Sequence, residues 1–204
     1  MEVRLPRHLE HLNALIIPGG ESTTMAIVAK RNGLLEPLRD FVLIKRLPVW
    51  GTCAGAIMLT DADKIFGAKI GGQESIGGFN VPIRRNAFGS QVDSFMADVD
   101  LQRMLGAGAQ PFRAVFIRAP LFEIGSLENS NESGVVEGPD ADANNSRGPS
   151  SKLKVLATVN HNGVAGAVVL LKQNVFATVF HPELTDDARI HAWFVDFCRN
   201  FRVS

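Results

Sequence analysis

The sequence predicts an α/β domain in which a mostly parallel sheet is covered by helices. Short apolar runs at residues 14–17 and 48–50 are each followed by a longer segment of helical character, at residues 23–41 and 54–63. This alternation is typical of parallel strands joined by helices that lie on the faces of the sheet. The chain has 204 residues, of which 46% are hydrophobic, so we expect one well-filled domain over residues 1–204.

The second half of the chain predicts an antiparallel extension of this sheet. Its strand candidates follow one another closely, at residues 79–84, 114–117, 155–159, 165–171 and 175–180. The chain ends in a predicted helix over residues 185–201, for which Thr185 is placed as the N-cap. The apolar residues of this helix recur at helical spacing: Ile190, Trp193, Phe194, Phe197 and Phe201.

Residues 124–151 differ from the rest of the chain in composition. They are rich in Ser, Asn, Gly, Asp and Glu and contain no aromatic residue. Such a segment cannot bury enough apolar surface to offset its ordering entropy, so we expect a disordered surface insertion. Asn131 and Asn144 begin formal glycosylation sequons, and a docking or modification loop is therefore the alternative.

Charge and cysteine content exclude several classes of function. Lys and Arg number 21, as do Asp and Glu, so the net charge is zero and nothing indicates binding to nucleic acid. Cys53 and Cys198 form no CxxC pair, and we expect neither a disulfide scaffold nor a metal site. No run reaches the roughly 20 apolar residues that cross a bilayer, and no signal region opens the chain. These features predict a cytoplasmic protein without a membrane partner.

The strongest local signal is the run PVWGTCAGAIML at residues 48–59. An apolar strand leads through Gly51, Cys53 and Gly55 into a helix, which is the cysteine form of a nucleophile elbow. The turn at the nucleophile is tight, so its neighbours two residues away must lack side chains. We expect the N-terminus of the helix to favour the Cys53 thiolate. A buried, inert cysteine beside two turn glycines is the alternative.

A second signal is the run VFATVFHPE at residues 175–183. Residues two apart point the same way in an extended chain, so His181 and Glu183 can lie on one side around Pro182. A histidine that is oriented by a carboxylate can take the proton of a thiol and return it to a leaving amine. The alternative is a histidine at a strand end followed by a glutamate at a helix entry.

A third signal is the run LIIPGGESTT at residues 15–24. Its strand ends in two glycines followed by residues that can cap a helix, which exposes backbone N–H groups near the carboxyl edge of the sheet. Such groups can serve as oxyanion donors. The run has neither a Walker lysine nor GxGxxG spacing, so nucleotide binding is weakly supported.

These motifs and two further runs form an ordered set along the chain. The set is PGGEST (18–23), GTCAG (51–55), RNAFGSQVDSF (85–95), FIRAP (116–120) and TVFHPELT (178–185). It resembles the glutaminase subunit of pyridoxal 5′-phosphate synthase, a class I, triad-type glutamine amidotransferase. The resemblance covers nearly the whole chain apart from the insertion, and it implies a flavodoxin-like three-layer α/β fold.

The resemblance also implies roles for individual residues. Cys53 would be the nucleophile that forms a glutamyl thioester, His181 the acid and base, and Glu183 the group that orients the imidazole. The implied glutamine contacts are Gly20, Glu21, Ser22, Arg85, Ile117 and Arg118. A guanidinium suits the α-carboxylate of glutamine because its fork binds two oxygens.

Alternatives remain for some of these residues. Without the resemblance, Arg85 would be a turn-stabilising arginine and Arg118 part of a surface salt bridge. The backbone N–H groups of Gly20 and Ala54 are the oxyanion candidates, because the elbow geometry places them near the nucleophile.

The implied activity is the hydrolysis of L-glutamine to L-glutamate and ammonia, with the ammonia passed to a partner synthase subunit in a hetero-oligomer. A thioester mechanism needs no metal or organic cofactor. One alternative is a shortened isoform that acts as a non-enzymatic binding or regulatory subunit of the same synthase. Another is a different class I subunit, such as that of imidazole glycerol phosphate synthase, or a related cysteine hydrolase.

The N-terminus departs from the family pattern. Members begin with an additional strand and helix that carry a Leu-Gln-Gly turn, whereas residues 1–6 here resemble the second strand. We therefore expect a flavodoxin-like domain that lacks the first strand and helix. The first strand is interior in that strand order, so its loss would leave neighbouring strands unpaired, and we expect low stability and weak activity.

Overall fold

The computed structural model describes residues 1–67, 72–89, 94–124, 135–136 and 152–201. The strands are Leu15–Ile17 (β1), Val49–Thr52 (β2), Ile65–Phe66 (β3), Ile83–Arg84 (β4), Ser94–Val99 (β5), Phe112–Ile117 (β6), Leu121–Phe122 (β7), Val135–Val136 (β8), Leu153–His161 (β9), Val164–Lys172 (β10) and Val175–Thr178 (β11). The α-helices are Ser22–Arg31 (α1), Leu35–Arg39 (α2), Ala54–Met58 (α3), Gln102–Leu105 (α4) and Arg189–Asn200 (α5). A π-helix, Asp40–Ile44, continues α2, and 3-10 helices span Pro6–Leu9, Ala62–Lys64 and Pro182–Leu184. Apart from Ile124 and β8, the predicted insertion at 124–151 lies outside the described residues.

The main sheet has the strand order β1-β2-β11-β10-β7-β4-β3, with β9 pairing β10 and β8 pairing β9. Strands β1, β2 and β11 run parallel, as do β3 and β4. The remaining pairs in this sheet are antiparallel, which confirms the antiparallel extension expected from the second half of the chain. Strands β5 and β6 form a separate antiparallel pair, so the strand candidate at residues 114–117 does not join the extension as predicted.

Helices cover both faces of the sheet at β2. Successive residues of a strand face opposite sides of the sheet, so the neighbours of Trp50 and Gly51 show what packs on each face. The Trp50 ring packs against Phe194 of α5, with ring centroids 5.5 Å apart. On the other face a Cβ atom at Gly51 would lie 2.5 Å from the carbonyl of Gly55 in α3. The three-layer arrangement that the sequence predicts is therefore confirmed.

Two predicted helices have different bounds in the structure. The helix expected over residues 23–41 is interrupted after Arg31, because Gly33 adopts a φ of 64° that ends α1. The last helix begins at Arg189, and the prediction that Thr185 caps it is wrong. The Thr185 hydroxyl donates instead to the carbonyl of Pro182, and Asp187 accepts the Arg189 N–H.

Strand β1 lies at one end of the sheet and pairs with β2. Ile16 in this strand is 46% exposed. Beside it runs a mostly apolar groove of about 530 Å³, whose lining includes Val3, Leu15 and Met25. No cysteine, serine, histidine or lysine is among the described residues that line it. Within the described ranges, no helix has both the length and the apolar content that a membrane crossing requires.

Candidate active site

Three neighbouring parallel strands deliver the central residues of the site. Gly19 and Gly20 follow β1, Cys53 follows β2, and His181 lies just beyond β11. The carboxyl ends of parallel strands meet at one edge of a sheet, which is where α/β domains place their ligands. Sequence positions that lie far apart are thereby brought to a single edge.

Cys53 occupies a strained turn between β2 and α3. Its backbone has a φ of 48° and a ψ of −107°, a conformation that a residue with a side chain rarely adopts. The Cys53 N–H donates to the carbonyl of Thr178 at 2.8 Å, which ties the turn to β11. A Cβ atom at Gly55 would overlap the carbonyl oxygen of Ile17, so α3 packs against β1 only because residue 55 is glycine. This geometry confirms the predicted elbow.

The thiol of Cys53 is protonated in this arrangement. Burial raises its pKa to about 11, and the Glu183 carboxylate adds to the increase. The Ala54 N–H and the Arg118 guanidinium act in the opposite direction but do not offset burial. The N–H at the start of α3 therefore favours the thiolate, as the sequence predicts, but α3 has only five residues and desolvation of the side chain outweighs this effect.

His181 lines the same cavity as this thiol, and one of its ring nitrogens is engaged. Its Nδ1 lies 2.7 Å from Oε1 of Glu183, and its side chain is only 14% exposed. Its backbone N–H donates to the carbonyl of Val115 at 2.9 Å. A Cβ atom at Gly19 would lie 2.5 Å from Cε1 of His181 and 3.5 Å from Cβ of Cys53. Any side chain at residue 19 would thus meet both His181 and Cys53.

A charged pair lies on the opposite side of the site. Glu21 is the N-cap of α1 and accepts from the N–H groups of Thr23 and Thr24. Burial opposes ionisation, but these bonds and one from the Thr24 hydroxyl outweigh it and lower the Glu21 pKa to about 2. Arg85 donates to Oε1 of Glu21 at 3.0 Å and to the Thr23 hydroxyl at 3.2 Å.

One cavity of about 200 Å³ brings together every predicted site residue except Glu183, which lies behind His181. Its lining residues are Gly20, Glu21, Ser22, Cys53, Ala54, Ile57, Arg85, Asn86, Ile117, Arg118, Pro120 and His181. The carbonyl of Ile117 is 4.0 Å from the Cys53 sulfur, and Arg118 has a φ of 45°. The larger groove beside β1 lies apart from this chemistry.

Sequence reasoning missed several residues here. Ile57 and Asn86 line the cavity, and Gln73 contacts the residues on its charged side. Asn86 belongs to the run RNAFGSQVDSF at residues 85–95, which could have indicated it, whereas Gln73 lies in a polar stretch with no recognisable pattern. Within the part of the chain that the structure describes, no three His, Cys, Asp or Glu side chains are grouped to hold a metal ion.

Comparison with known proteins identifies the family. Residues 1–200 match the SNO glutamine amidotransferase family. The chain belongs to this family. One curated member, the pyridoxal 5′-phosphate synthase subunit PdxT of Streptomyces avermitilis, is 45% identical over 203 residues, which cover 99% of this chain and 83% of the relative.

A plant relative and two solved structures extend the comparison. The probable pyridoxal 5′-phosphate synthase subunit PDX2 of Arabidopsis thaliana is 40% identical over 96% of this chain and 74% of its own length. A crystal structure titled glutamine amidotransferase has a TM-score of 0.71 at 36% identity, covering 98% of this chain and 86% of that one. A putative GMP synthase subunit from Thermoplasma acidophilum, at 15% identity and a TM-score of 0.52, shares the fold (95% and 76% covered). A solved glutamine amidotransferase thus shares the fold of this chain, and curated pyridoxal 5′-phosphate synthase subunits are similar to it in sequence.

Proposed function

We propose that this chain hydrolyses L-glutamine and supplies ammonia to a synthase that makes pyridoxal 5′-phosphate. The observation that carries the proposal is a buried cysteine on a strained elbow, which shares one cavity with a carboxylate-bound histidine and an arginine. The names of the relatives at 45% and 40% identity support the choice of synthase.

Cys53 acts as the nucleophile and His181 as its base. The Glu183 carboxylate engages Nδ1 of the imidazole, which leaves Nε2 to accept the thiol proton. The sulfur attacks the side-chain amide carbon of glutamine, and the C–N bond breaks as His181 returns the proton to the departing ammonia. Water, deprotonated by His181, then cleaves the thioester to release glutamate and restore the thiol.

The raised pKa of the Cys53 thiol keeps the side chain neutral until glutamine binds. A neutral, buried thiol reacts only slowly with bulk electrophiles, because the thiolate is the nucleophile. Proton transfer to His181 takes place when glutamine excludes water and puts its amide carbon in reach. The Ala54 N–H, which already lies against the sulfur, and that of Gly20 stabilise the oxyanion that follows.

The charged side of the cavity recognises the amino-acid end of glutamine. Arg85 and Arg118 provide positive charge for the α-carboxylate, and Glu21, ionised at neutral pH, provides negative charge for the α-ammonium. Gly20, Ser22 and Ile117 complete the binding surface. Opposite charges at the two positions favour a zwitterionic amino acid over a simple amide.

We also propose that the chain works in the cytoplasm, in a hetero-oligomer with the synthase subunit. Ammonia is then passed to the synthase instead of being released into solution. No metal or organic cofactor takes part, because the thioester chemistry is complete with Cys53, His181 and water.

The test is a glutaminase assay with and without the purified synthase subunit. We expect glutamate release that depends on Cys53 and is lost in Cys53→Ala, while Cys198→Ala, a substitution in α5, retains it. A chain that binds the synthase but releases no glutamate would favour the non-enzymatic alternative. Co-purification with a different synthase would overturn the choice of partner.

A further inference from the structure

Gln73 joins the two segments that form the charged side of the cavity. Its Oε1 accepts from the Ser22 hydroxyl at 2.9 Å, from the Thr23 hydroxyl at 3.4 Å and from Nη1 of Arg85 at 3.4 Å. The first two donors belong to the start of α1, and the third follows β4. One carbonyl oxygen therefore links parts of the chain that are distant in sequence.

The Arg85 contact fixes which way the Gln73 amide points. A guanidinium only donates, so the group that faces it must be the amide oxygen. A rotated amide would place two N–H donors against the arginine. The oxygen therefore faces Arg85, and Nε2 points into the protein, where it is buried and finds no partner among the described residues.

The buried Nε2 of Gln73 does not stabilise the folded state. A donor without a partner destabilises the folded state, and a methionine of similar length would not carry one. The amide nitrogen thus contributes nothing to the fold that an apolar side chain would not. The distinctive contribution of Gln73 is its acceptor, Oε1, which binds the cavity residues Ser22 and Arg85.

The segment around Gln73 is itself anchored. Arg39 donates from Nε and Nη2 to the carbonyl of Ser75, at 3.0 and 2.7 Å. Glu74 pairs with Lys30 of α1 and with Arg39, and the Ile76 N–H donates to the carbonyl of Met58 at 2.7 Å. The amide oxygen is therefore held at a fixed place relative to α1 and α3.

We propose that Gln73 is a positioning residue for substrate binding, whose carbonyl oxygen holds Ser22 and Arg85 at the separation that an α-amino acid requires. The inference rests on the proposed function. Gln73 does not line the cavity, so it acts through these residues and not on the reacting atoms. Its loss therefore weakens glutamine binding and leaves the chemistry at Cys53 intact.

The experiment compares Gln73→Met with wild type in the synthase-dependent glutaminase assay. We expect KM for glutamine to rise about tenfold while kcat changes less than about twofold, because binding alone is affected. We expect the melting temperature to stay within about 2 °C. The substitution removes the unpaired Nε2 donor but leaves the buried Ser22 hydroxyl without its acceptor, so the two effects offset each other. Gln102→Met is the matched control: Gln102 also accepts through Oε1, from the Gly108 N–H, but lies in α4, and we expect it to leave KM unchanged.

A double substitution tests whether Gln73 acts through Ser22. In a Ser22→Ala background, Gln73→Met is expected to raise KM less than about threefold further, because the main contact is already lost. If the increases in KM from Ser22→Ala and Gln73→Met multiply in the double variant, Gln73 does not act through Ser22. Gln73→Leu repeats the measurement if Gln73→Met does not fold.

The outcomes distinguish a failure of the positioning role of Gln73 from a failure of the proposed glutaminase function. Wild-type activity with an unchanged KM in Gln73→Met overturns the inference alone. Parallel losses of kcat and melting temperature would make Gln73 a structural residue and would also overturn it. If wild type releases no glutamate with the synthase, and a glutamine-like chloroketone does not label Cys53, the proposed function itself fails. If the chloroketone labels wild type, slower labelling of Gln73→Met with unchanged iodoacetamide labelling supports the inference.

Discussion

At the scale of single residues, the close approach of Gly19 to His181 makes the site sensitive to a small substitution. A methyl group at residue 19 would press on the imidazole at 2.5 Å, and the ring has little room because its side chain is 14% exposed. The displacement would break the alignment of the ring with Glu183 and with the thiol. A small misplacement of a catalytic group reduces rate strongly.

We therefore expect Gly19→Ala to lower kcat by about 100-fold and to change the melting temperature by only a few degrees, of order 1 kcal/mol. Gly33→Ala is the control, because Gly33 has a φ of 64° and open space around it. That variant is expected to lose stability with kcat unchanged. Steady-state kinetics and thermal melts check both variants, and normal kcat in Gly19→Ala would contradict the tight contact.

The raised thiol pKa predicts how Cys53 reacts in the free protein. With a pKa of about 11, the thiolate fraction grows tenfold per pH unit, so alkylation of Cys53 by iodoacetamide should accelerate steadily from pH 7 to pH 10. Peptide mapping by mass spectrometry gives the rate at this residue. A rate that levels off near pH 8 would show that the thiol is already ionised at rest.

Sequence reasoning found the residues of the candidate site but missed the raised pKa of the Cys53 thiol. Cys53 and His181 stand in short patterns whose glycines, proline and carboxylate have direct geometric reasons, so their proximity could be expected. The thiol pKa depends on desolvation by side chains from several elements, which no local pattern reveals. Gln73 was missed for a similar reason, because its three partners come together only in the folded chain.

At the scale of elements, the start of α1 depends on an ionised carboxylate. Glu21 has a folded pKa of about 2 against an ordinary 4.5, so its stabilisation is present above pH 4.5 and is lost as the pH falls toward 2. The side chain is 47% exposed, and solvent screens its contribution.

We expect Glu21→Gln to lower the free energy of unfolding at pH 7 by at most about 1 kcal/mol, and by much less near pH 2. Chemical denaturation at the two pH values measures the difference. Glu36→Gln is the control: Glu36 pairs with Arg39 but caps no helix, and it is 76% exposed. A pH-independent difference for Glu21→Gln would contradict the role of its charge.

Element boundaries were predicted less well than element types. Terminal helix α5 was expected from its aromatic spacing, but the 3-10 turn at Pro182–Leu184 uses the Thr185 hydroxyl and delays the helix to Arg189. The break after α1 had a signal in the Asn32-Gly33 pair. Strands β3, β4 and β7 have two residues each, too short for alternation to appear in a sequence.

At the scale of the whole molecule, β1 presents an apolar side chain at the end of a sheet. Strand edges with exposed apolar residues favour pairing between molecules. We expect Ile16→Lys to reduce aggregation during thermal unfolding, measured by light scattering. Ile27→Lys is the control, because Ile27 is 52% exposed on helix α1 and not on a strand. Equal effects of the two substitutions would mean that net charge, and not the edge, is responsible.

The position of β11 between β2 and β10 also bears on how the protein is made. This strand lies near the C-terminus, yet it occupies an interior place in the sheet and leads to His181. As the chain leaves the ribosome, β1, β2 and the elbow emerge before β11, so the gap beside β2 stays open until residues 175–178 have been synthesised. Because such long-range pairing is slow to form, glutamine hydrolysis becomes possible only at the last stage of folding. We expect a chain truncated before β11 to contain Cys53, to lack His181 and to be inactive.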